Sequence, residues 1–343
     1  MSHSSSLAHA PEGALRLRVG LTYNLRRIGV SDGDSEAEFD APATIDAIAE
    51  AIQRQGHQVF PCEANRELPR VLSALAPDLV FNVAEGVSGL NREAQVPALC
   101  ELLELEFTGS DAACMAISLN KATAKRLVAY EGIRTPAFAV LRHGGEPLPK
   151  DFIYPAIVKP IAEGSSKGIL EKQVVESEAE LRSISQLLLE RYRQPVLAEA
   201  FLPGREFTVA MLGERDPRVL PIMEIVFTDQ SERFPIYSFK SKFESVGVEN
   251  KVPCEVTPAL YAELERTAKA SFAALGCRDI ARVDLRLDGQ GNVHFIECNP
   301  LPGMAPNFSD LCVMAKVEDT SYDALVSEIM APAVRRLATA RAP

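Results

Sequence analysis

The sequence contains no apolar run approaching the roughly 18–20 residues that a membrane-spanning helix needs, so no membrane partner is predicted. Its first segment, "MSHSSSLAHAPEGA", is polar and has no hydrophobic core, so residues 1–15 are predicted to be a disordered lead-in rather than a secretion signal. The seven cysteines are scattered, without a CxxC pair or a Cys/His cluster. This predicts buried thiols rather than disulfides or zinc ligands, and hence a cytoplasmic location.

The chain also has an excess of negative charge. Its 36 lysines and arginines are outnumbered by 47 aspartates and glutamates, which gives a net charge of −11 at pH 7. A nucleic-acid surface requires a basic patch, so no nucleic-acid partner is predicted. A small anionic ligand is not excluded, because local lysines decide that. The 343 residues are 47% hydrophobic and 24% charged, which is typical of a globular protein of two or three domains at about 150 residues each.

Strand and helix patterns alternate in the first third of the chain. "LRLRVGLTY", "HQVFPCE" and "DLVFNVAE" have the pattern of strands, whereas "APATIDAIAEAIQRQG", the segment around "ELPRVLSALA" and "REAQVPALCELLEL" have the pattern of helices. This alternation predicts an α/β domain with a parallel sheet over residues 16–115. No GxGxxG follows the first strand, which disfavours a dinucleotide site.

The rest of the chain has the pattern of an α+β fold. Close-set strands are predicted at "PAFAVL", "YPAIVKP", "GILEKQV", "PVLAEAFL", "REFTVAML" and "VLPIMEIVF", with a helix in "ESEAELRSISQLLLERY". A helix at 257–276, a hairpin and a closing helix from about 322 follow.

The hairpin carries acidic residues on one face. "IARVDLRL" alternates apolar and polar residues, "DGQGN" predicts a turn, and "VHFIECN" runs back. A symmetric turn would place Asp284 opposite Glu297 and Arg282 opposite Asn299. Opposed carboxylates need a counter-ion or a shared proton, and a set of oxygen ligands favours Mg²⁺ or Mn²⁺ over zinc. A solvated polar face, or a register error of one residue that separates the pair, remains the alternative.

Two segments suggest nucleotide contacts. In "YPAIVKPIAEGSSKG", Lys159 ends an apolar strand before a Gly/Ser loop whose backbone N–H groups could close over phosphates, although a surface hairpin fits equally. In "LAEAFLPGREFTV", Glu199 and Glu206 flank a Pro-Gly turn between two strands, a pattern with little specificity. Lys121 in "SLNKATAKRL" has the setting of an ordinary solvent-facing helix lysine.

Together these segments resemble the ATP-grasp enzymes, and within them the D-alanine–D-alanine ligase family. The matching segments are "NVAEG…REAQVPALCELLELEFTGSD", "SLNKATAKRL", "IVKPIAEGSSKGI", "LAEAFLPGREFTV", "YSFKSKF", "ARVDLRL" and "IECNPLPGM", in the family's order from about residue 16 to 340. The resemblance implies an N-terminal α/β domain over 16–115, a central ATP-grasp subdomain over 116–204 and a C-terminal catalytic domain over 205–343. ATP would lie between the last two.

The resemblance also implies a set of nucleotide-binding residues. These are Lys121 and Lys159 at the phosphates, a loop containing Glu163, Gly164, Ser165 and Ser166 over them, Glu199, Phe201 and Leu202 at the adenine, Glu206 at the ribose and Lys242 at the γ-phosphate. Ser165 would in addition lie near the amino-acid substrates.

The implied reaction is an ATP-dependent ligation of a carboxylate to an amine through an acyl phosphate. Asp284, Glu297 and Asn299 would hold two Mg²⁺ ions, with Glu297 bridging, and Mn²⁺ could replace them. Arg282 and the Gly303 N–H would stabilise the tetrahedral oxyanion. The family is commonly dimeric, so a homodimer is an open expectation.

Departures from the family concern the substrates. Phe243 stands where many dipeptide-forming members have tyrosine, and "NVAEG" stands where the ligases have His-Gly. "SDGDSEAEFDAP" offers Asp34, Glu36, Glu38 and Asp40 as ligands of the first substrate's amino group, and alignment to the following helix favours Glu38. Ser309 matches the carboxylate-binding serine only with a one-residue insertion. These changes leave open a D-alanyl ligase, a ligase for other amino-acid-like substrates of a peptide-like metabolite, and an ester-forming ligase that uses a hydroxy acid. The intact residue set weighs against a non-catalytic ATP-binding protein.

The ester alternative gives a prediction at Phe243. Phe243→Tyr restores the hydroxyl that many dipeptide-forming members of the family carry at this position. If the enzyme forms an ester, we expect this variant to shift the product from ester to amide, as measured by mass spectrometry. The pH profile should shift with it, because an amine nucleophile must lose its proton before it attacks. An unchanged product would count against the ester alternative.

Overall fold

The computed structural model describes residues 16–27, 36, 38–164, 173–229, 233–237 and 247–341. The predicted site residues Ser165, Ser166, Lys242 and Phe243 lie outside these ranges. Within them, no helix is both long enough and apolar enough to cross a bilayer.

The first third of the chain forms the predicted parallel α/β sheet, with strand order β2-β1-β3. Its elements are β1 (Arg18–Tyr23), α1 (Pro42–Arg54), β2 (Gln58–Glu63), α2 (Leu68–Leu75), β3 (Leu79–Asn82), a 3₁₀ turn (Arg92–Ala94), α3 (Gln95–Leu102) and α4 (Ala112–Leu119). Val19 of the central strand lies between Val59 and Leu79, and all three strands are parallel. Alternation of strands with helices thus gave the correct sheet type.

A second sheet follows, antiparallel and ordered β4-β7-β5-β6. The elements of this part of the chain are α5 (Lys121–Tyr130), β4 (Phe138–Leu141), β5 (Ala156–Pro160), β6 (Val174–Val175), α6 (Glu178–Tyr192) and β7 (Val196–Ala200). The Ser177 hydroxyl caps α6 by accepting the Glu180 N–H at 3.3 Å, and Leu181 and Leu188 pack against Val158 in the core of this sheet. Most of the strand predicted at "GILEKQV" falls outside the described residues.

The third sheet is antiparallel, ordered β11-β10-β8-β12-β13, with β9 paired to β8. The elements are β8 (Glu206–Gly213), β9 (Arg218–Val219), β10 (Met223–Phe227), β11 (Val248–Lys251), α7 (Pro258–Ala274), β12 (Asp279–Leu287), β13 (Val293–Asn299), α8 (Asp310–Val317) and α9 (Tyr322–Ala340). The Pro-Gly turn therefore crosses from the second sheet to the third. A Cβ at Gly204 would lie 2.6 Å from the Leu287 carbonyl oxygen, so the crossing requires glycine.

The closing helix α9 joins the first sheet to the third. Its Ile329 shares one buried core with Ile48 of α1 and Ile225 of β10. Near its end, the Arg336 guanidinium donates to both carboxylate oxygens of Asp279 at 2.7 and 2.8 Å and to Glu106 at 2.7 Å. Asp279 is fully buried, so this arginine supplies the positive charge that its carboxylate requires.

All seven cysteines are free and buried, which confirms the prediction of buried thiols. Three of them nevertheless meet in space, although their spacing gave no sign of it. The Cys277 sulfur lies 3.6 Å from that of Cys114 and 3.7 Å from that of Cys298. The hydrogen bond that the Cys114 thiol donates to the Cys277 sulfur, together with burial, raises the pKa of Cys114 and favours the protonated thiol.

We expect Arg336→Ala to lower the free energy of unfolding by about 3–5 kcal/mol, because the buried Asp279 carboxylate loses its cation and keeps only the neutral Gly109 N–H donor at 2.9 Å. Urea unfolding of the full chain measures the loss. The matched control is Arg335→Ala. The Arg335 side chain is 64% exposed, and its ion pair with Glu214 is long, at 3.9 Å. The control should lose less than about 1 kcal/mol, and equal losses would contradict the assigned role of Arg336.

Candidate active site

The hairpin of β12 and β13 has the predicted register at its acidic end. Asp284 lies opposite Glu297, and Arg282 lies opposite Asn299. Nearer the turn the pairing is shifted by one residue, with Leu285 opposite Phe295, and a bulge between the two regions restores the register. The predicted opposition of Asp284 and Glu297 is therefore confirmed, and the alternative of a register error that separates this pair is wrong, because the shift is confined to the residues nearer the turn.

Asp284 accepts hydrogen bonds from three neighbours on this face. Arg282 Nε and Nη2 donate to its two oxygens at 3.1 Å each, Asn299 Nδ2 donates at 3.3 Å, and the Thr208 hydroxyl of the adjacent strand β8 donates from the other side. The Asp284 side chain is mostly buried. Arg282 is also held by Asp310 at 3.4 Å, so the guanidinium is fixed between two carboxylates.

Glu297 lies near three cationic side chains, those of Lys121, Lys159 and Arg282. Its Oε2 lies 3.2 Å from Lys121 Nζ. Burial alone would raise the pKa of Glu297, but Lys121, Lys159 and Arg282 outweigh it and lower the pKa to about 2. The side chain keeps 24% of its surface exposed, so an ionised carboxylate faces the cleft.

Lys121 corrects the prediction of a solvent-facing helix lysine, because it is only 7% exposed. Helix α4 stops at Leu119, and the Asn120 side chain caps a new helix by accepting the Thr123 N–H at 3.1 Å. Lys121 is therefore the first residue of α5, with its backbone N–H donating to Ile161 at 3.0 Å and its ammonium donating to the Glu163 carbonyl. The start of a new helix at Lys121 therefore turns this side chain away from solvent.

Lys159 and Glu199 lie on neighbouring strands of the second sheet and form a buried ion pair. Lys159 Nζ is 2.6 Å from Glu199 Oε1, and Lys125 Nζ is 2.8 Å from Oε2. Lys125 is fully buried, and burial lowers its pKa to about 8 despite the attraction of Glu199. Sequence reasoning did not single out Lys125. The available signal was its position four residues after Lys121, which places both on one face of α5.

These side chains line one cleft between the second and third sheets. Lys159, Glu199, Phe201, Leu202, Glu206, Asp284 and Glu297 all contribute to its walls. The Arg286 guanidinium lies 4.8 Å from the centre of the Phe201 ring and 2.9 Å from a Glu206 oxygen. The cleft therefore combines an aromatic side chain, carboxylates and a lysine, which are the groups that can hold a base, a sugar and phosphates.

A second and larger cavity of about 450 Å³ opens beside the acidic end of the hairpin. Arg282, Asn299, Gly303 and Ser309 line it. A Cβ at Gly303 would lie 2.9 Å from the Ser309 hydroxyl, which itself accepts the Ala305 N–H at 3.0 Å. The one-residue insertion therefore still brings Ser309 beside Gly303.

Glu38 reaches the same cavity from the first third of the chain. Arg92 Nη2 donates to its two oxygens at 2.9 and 2.8 Å, and the Gly164 N–H donates to Oε1 at 2.7 Å. Arg92 also donates to the Ala162 carbonyl at 2.8 Å. Sequence reasoning did not single out Arg92. Its hydrogen bonds to Glu38 and to the Ala162 carbonyl connect the first third of the chain to the start of the predicted phosphate loop.

The oxygen donors on the hairpin fit a hard divalent cation. Asp284, Glu297 and Asn299 share one face of paired strands, and Glu297 is held ionised. No nitrogen or sulfur ligand of the kind zinc prefers is in this set.

Comparison with known proteins places this arrangement in a family. Residues 127–331 match the family described as "D-ala D-ala ligase C-terminus". A D-alanine–D-alanine ligase of Geobacter sulfurreducens is 33% identical over 281 residues, which cover 81% of this chain and 84% of that protein. An uncharacterized protein, y4sG of Sinorhizobium fredii, is 32% identical over 300 residues, which cover 85% of this chain and 87% of that one.

Solved structures show the same fold. The D-alanine–D-alanine ligase of Bacillus anthracis complexed with ATP has a TM-score of 0.74 at 22% identity, over 94% of this chain and 99% of that one. The VanG D-Ala:D-Ser ligase of Enterococcus faecalis has a TM-score of 0.72 at 20% identity, over 93% of this chain and 100% of that one.

Proposed function

The chain belongs to the D-alanine–D-alanine ligase family and is an ATP-dependent ligase that forms a C–N bond, and we propose that it joins two amino acids or amino-acid-like substrates through an acyl phosphate. One observation carries this proposal: the β12–β13 hairpin sets Asp284, Glu297 and Asn299 beside the buried lysines of the cleft.

In the first step, a carboxylate oxygen of the first substrate attacks the γ-phosphorus of ATP. The bond from that phosphorus to the bridging oxygen breaks, and its electron pair leaves with ADP. Lys159 lines the cleft, and Lys121 lies 3.2 Å from Glu297 in its wall. Both lysines would neutralise phosphate charge, and Glu206 and Phe201 would hold the ribose and the base. Asp284, Glu297 and Asn299 would hold two Mg²⁺ ions, which when bound lower the charge barrier to attack on the phosphate.

In the second step, the amine of the second substrate attacks the acyl carbon. The amine loses a proton, the bond from carbon to the phosphate oxygen breaks, and inorganic phosphate leaves. Arg282 and the Gly303 N–H border the larger cavity and would stabilise the negative oxygen of the tetrahedral intermediate. Glu38 would hold the ammonium of the first substrate, and Ser309 the carboxylate of the second.

The proposal keeps the division into domains at residues 115/116 and 204/205, with ATP between the last two. It also keeps a cytoplasmic location, which the seven free and buried thiols support. A homodimer remains part of the proposal.

We expect Lys159→Ala to weaken ATP binding far more than amino-acid binding, because the variant removes a buried positive charge at the proposed phosphate position. Calorimetry of the full chain with a non-hydrolysable ATP analogue measures the affinity. Lys150→Ala removes an exposed lysine and serves as the control. Unchanged nucleotide affinity in Lys159→Ala would contradict the assignment.

The function itself is tested by phosphate release with ATP and Mg²⁺ across D- and L-amino acids and hydroxy acids, with mass spectrometry of the product. We expect amide products, and we expect Glu297→Gln to lose nearly all phosphate release because the variant removes the proposed bridging charge. Glu131→Gln, at an exposed glutamate, should retain the activity. Activity of Glu297→Gln near that of the wild type at saturating Mg²⁺ would refute its role. No release with any substrate would refute the function.

A further inference from the structure

The larger cavity has an acidic end, of which the proposed reaction uses only Glu38. Glu85 and Glu93 line it together with Glu38, and one oxygen of each of the three carboxylates lies within 4.8 Å of the others. Glu85 follows β3, and Glu93 lies in the 3₁₀ turn, so both come from the first domain. Arg282 and Gly303, the groups assigned to the oxyanion of the reacting carbonyl, line the same cavity, as does Asn299.

Within the described part of the chain, two of these three carboxylates have no hydrogen-bond or ion-pair partner. Glu38 is bound by Arg92 and by the Gly164 N–H. Glu93 is only 8% exposed, yet among the described residues neither it nor Glu85 accepts a hydrogen bond or forms an ion pair. An almost completely buried carboxylate that faces a cavity without a partner is in an unfavourable position unless a ligand supplies one.

The nearby cations already have other carboxylates. Arg92 bonds Glu38 and lies 3.6 Å from Glu163, Lys121 pairs with Glu297, and Arg282 pairs with Asp284 and Asp310. Across the cavity, Arg26 lies beside Asp40. Burial, with the neighbouring carboxylates, raises the pKa of Glu93 to about 7 and that of Glu85 well above its ordinary range. A positive group bound beside Glu85 and Glu93 would favour their ionised forms.

We propose that this acidic end binds a second positive group on the first substrate, and that the enzyme selects an amino acid with an amine or guanidine side chain. The inference rests on the proposed function. Glu38, Glu85 and Glu93 carry three negative charges when ionised, whereas Arg92 and the substrate's own ammonium supply two positive ones. A cationic side chain supplies the third. Glu85 and Glu93 thus act as specificity-determining residues.

A divalent metal at the three carboxylates is the competing occupant. A metal would need oxygens of Glu38, but Arg92 donates to both of them and Gly164 also donates to one. An ammonium or guanidinium can instead bind Glu85 and Glu93 and leave that arrangement intact.

The test compares charged amino acids with neutral analogues of the same shape on the full-length enzyme. Arginine is paired with citrulline and lysine with norleucine, each as D and L isomers, by calorimetry with ADP and Mg²⁺ and by kcat/KM for phosphate release. We expect the cationic member to be preferred by about 30-fold or more, the loss typical of removing one partner of a buried charge pair. Glu93→Gln and Glu85→Gln should each reduce that preference, whereas Asp46→Asn, at an exposed acid on α1, should keep it.

Each outcome decides the matter. Equal or better use of citrulline and norleucine by the wild type would overturn the inference without any variant, while turnover of them would leave the proposed function standing. A preference that survives in both glutamine variants would overturn the assignment to this cluster. Binding of MnCl₂ alone that displaces arginine would show a metal site instead. A preference in binding that the variants lose, without phosphate release, would support the inference and refute the proposed function.

Discussion

The balance of charge around Glu297 is the constraint on which the cleft depends. Lys121 lies 3.2 Å from this carboxylate, and Lys159 and Arg282 also lower its pKa. Buried lysines are unfavourable without acids, and paired acids on adjacent strands repel without cations, so each set makes the other possible. The same interdependence holds at Glu199, which lies between Lys125 and Lys159. The acids thus hold the lysines in place, and the phosphates of a bound nucleotide would compete with Glu199 and Glu297 for them.

The second constraint is the junction between the first domain and the predicted phosphate loop. Arg92 and Glu38 belong to the first domain, yet they bond the Ala162 carbonyl and the Gly164 N–H. Lys121 donates to the carbonyl of Glu163 in the same stretch. Glu38, which lines the larger cavity, therefore bonds the backbone at the start of the predicted phosphate loop.

The acidic end of the larger cavity fits this arrangement. Glu93 follows Arg92 directly in the 3₁₀ turn, so the backbone that presents a cation to Glu38 also presents an acid to the cavity. Substrate selection and closure over the nucleotide would then share one short segment of chain. Of the departures from the family's sequence, "NVAEG" contains Glu85, which lines this cavity, whereas Lys121, Lys159 and the hairpin acids match the family.

The sequence alone determined the order of elements, the parallel first sheet and the opposition of Asp284 and Glu297, because these follow from local periodicity and turn chemistry. Tertiary structure decided the burial of Lys121, the pairing of Lys125 with Glu199 and the meeting of Glu38, Glu85 and Glu93. Those contacts join residues distant in the chain. Burial and charge balance there depend on how helices and loops from different domains pack, and no local pattern encodes that.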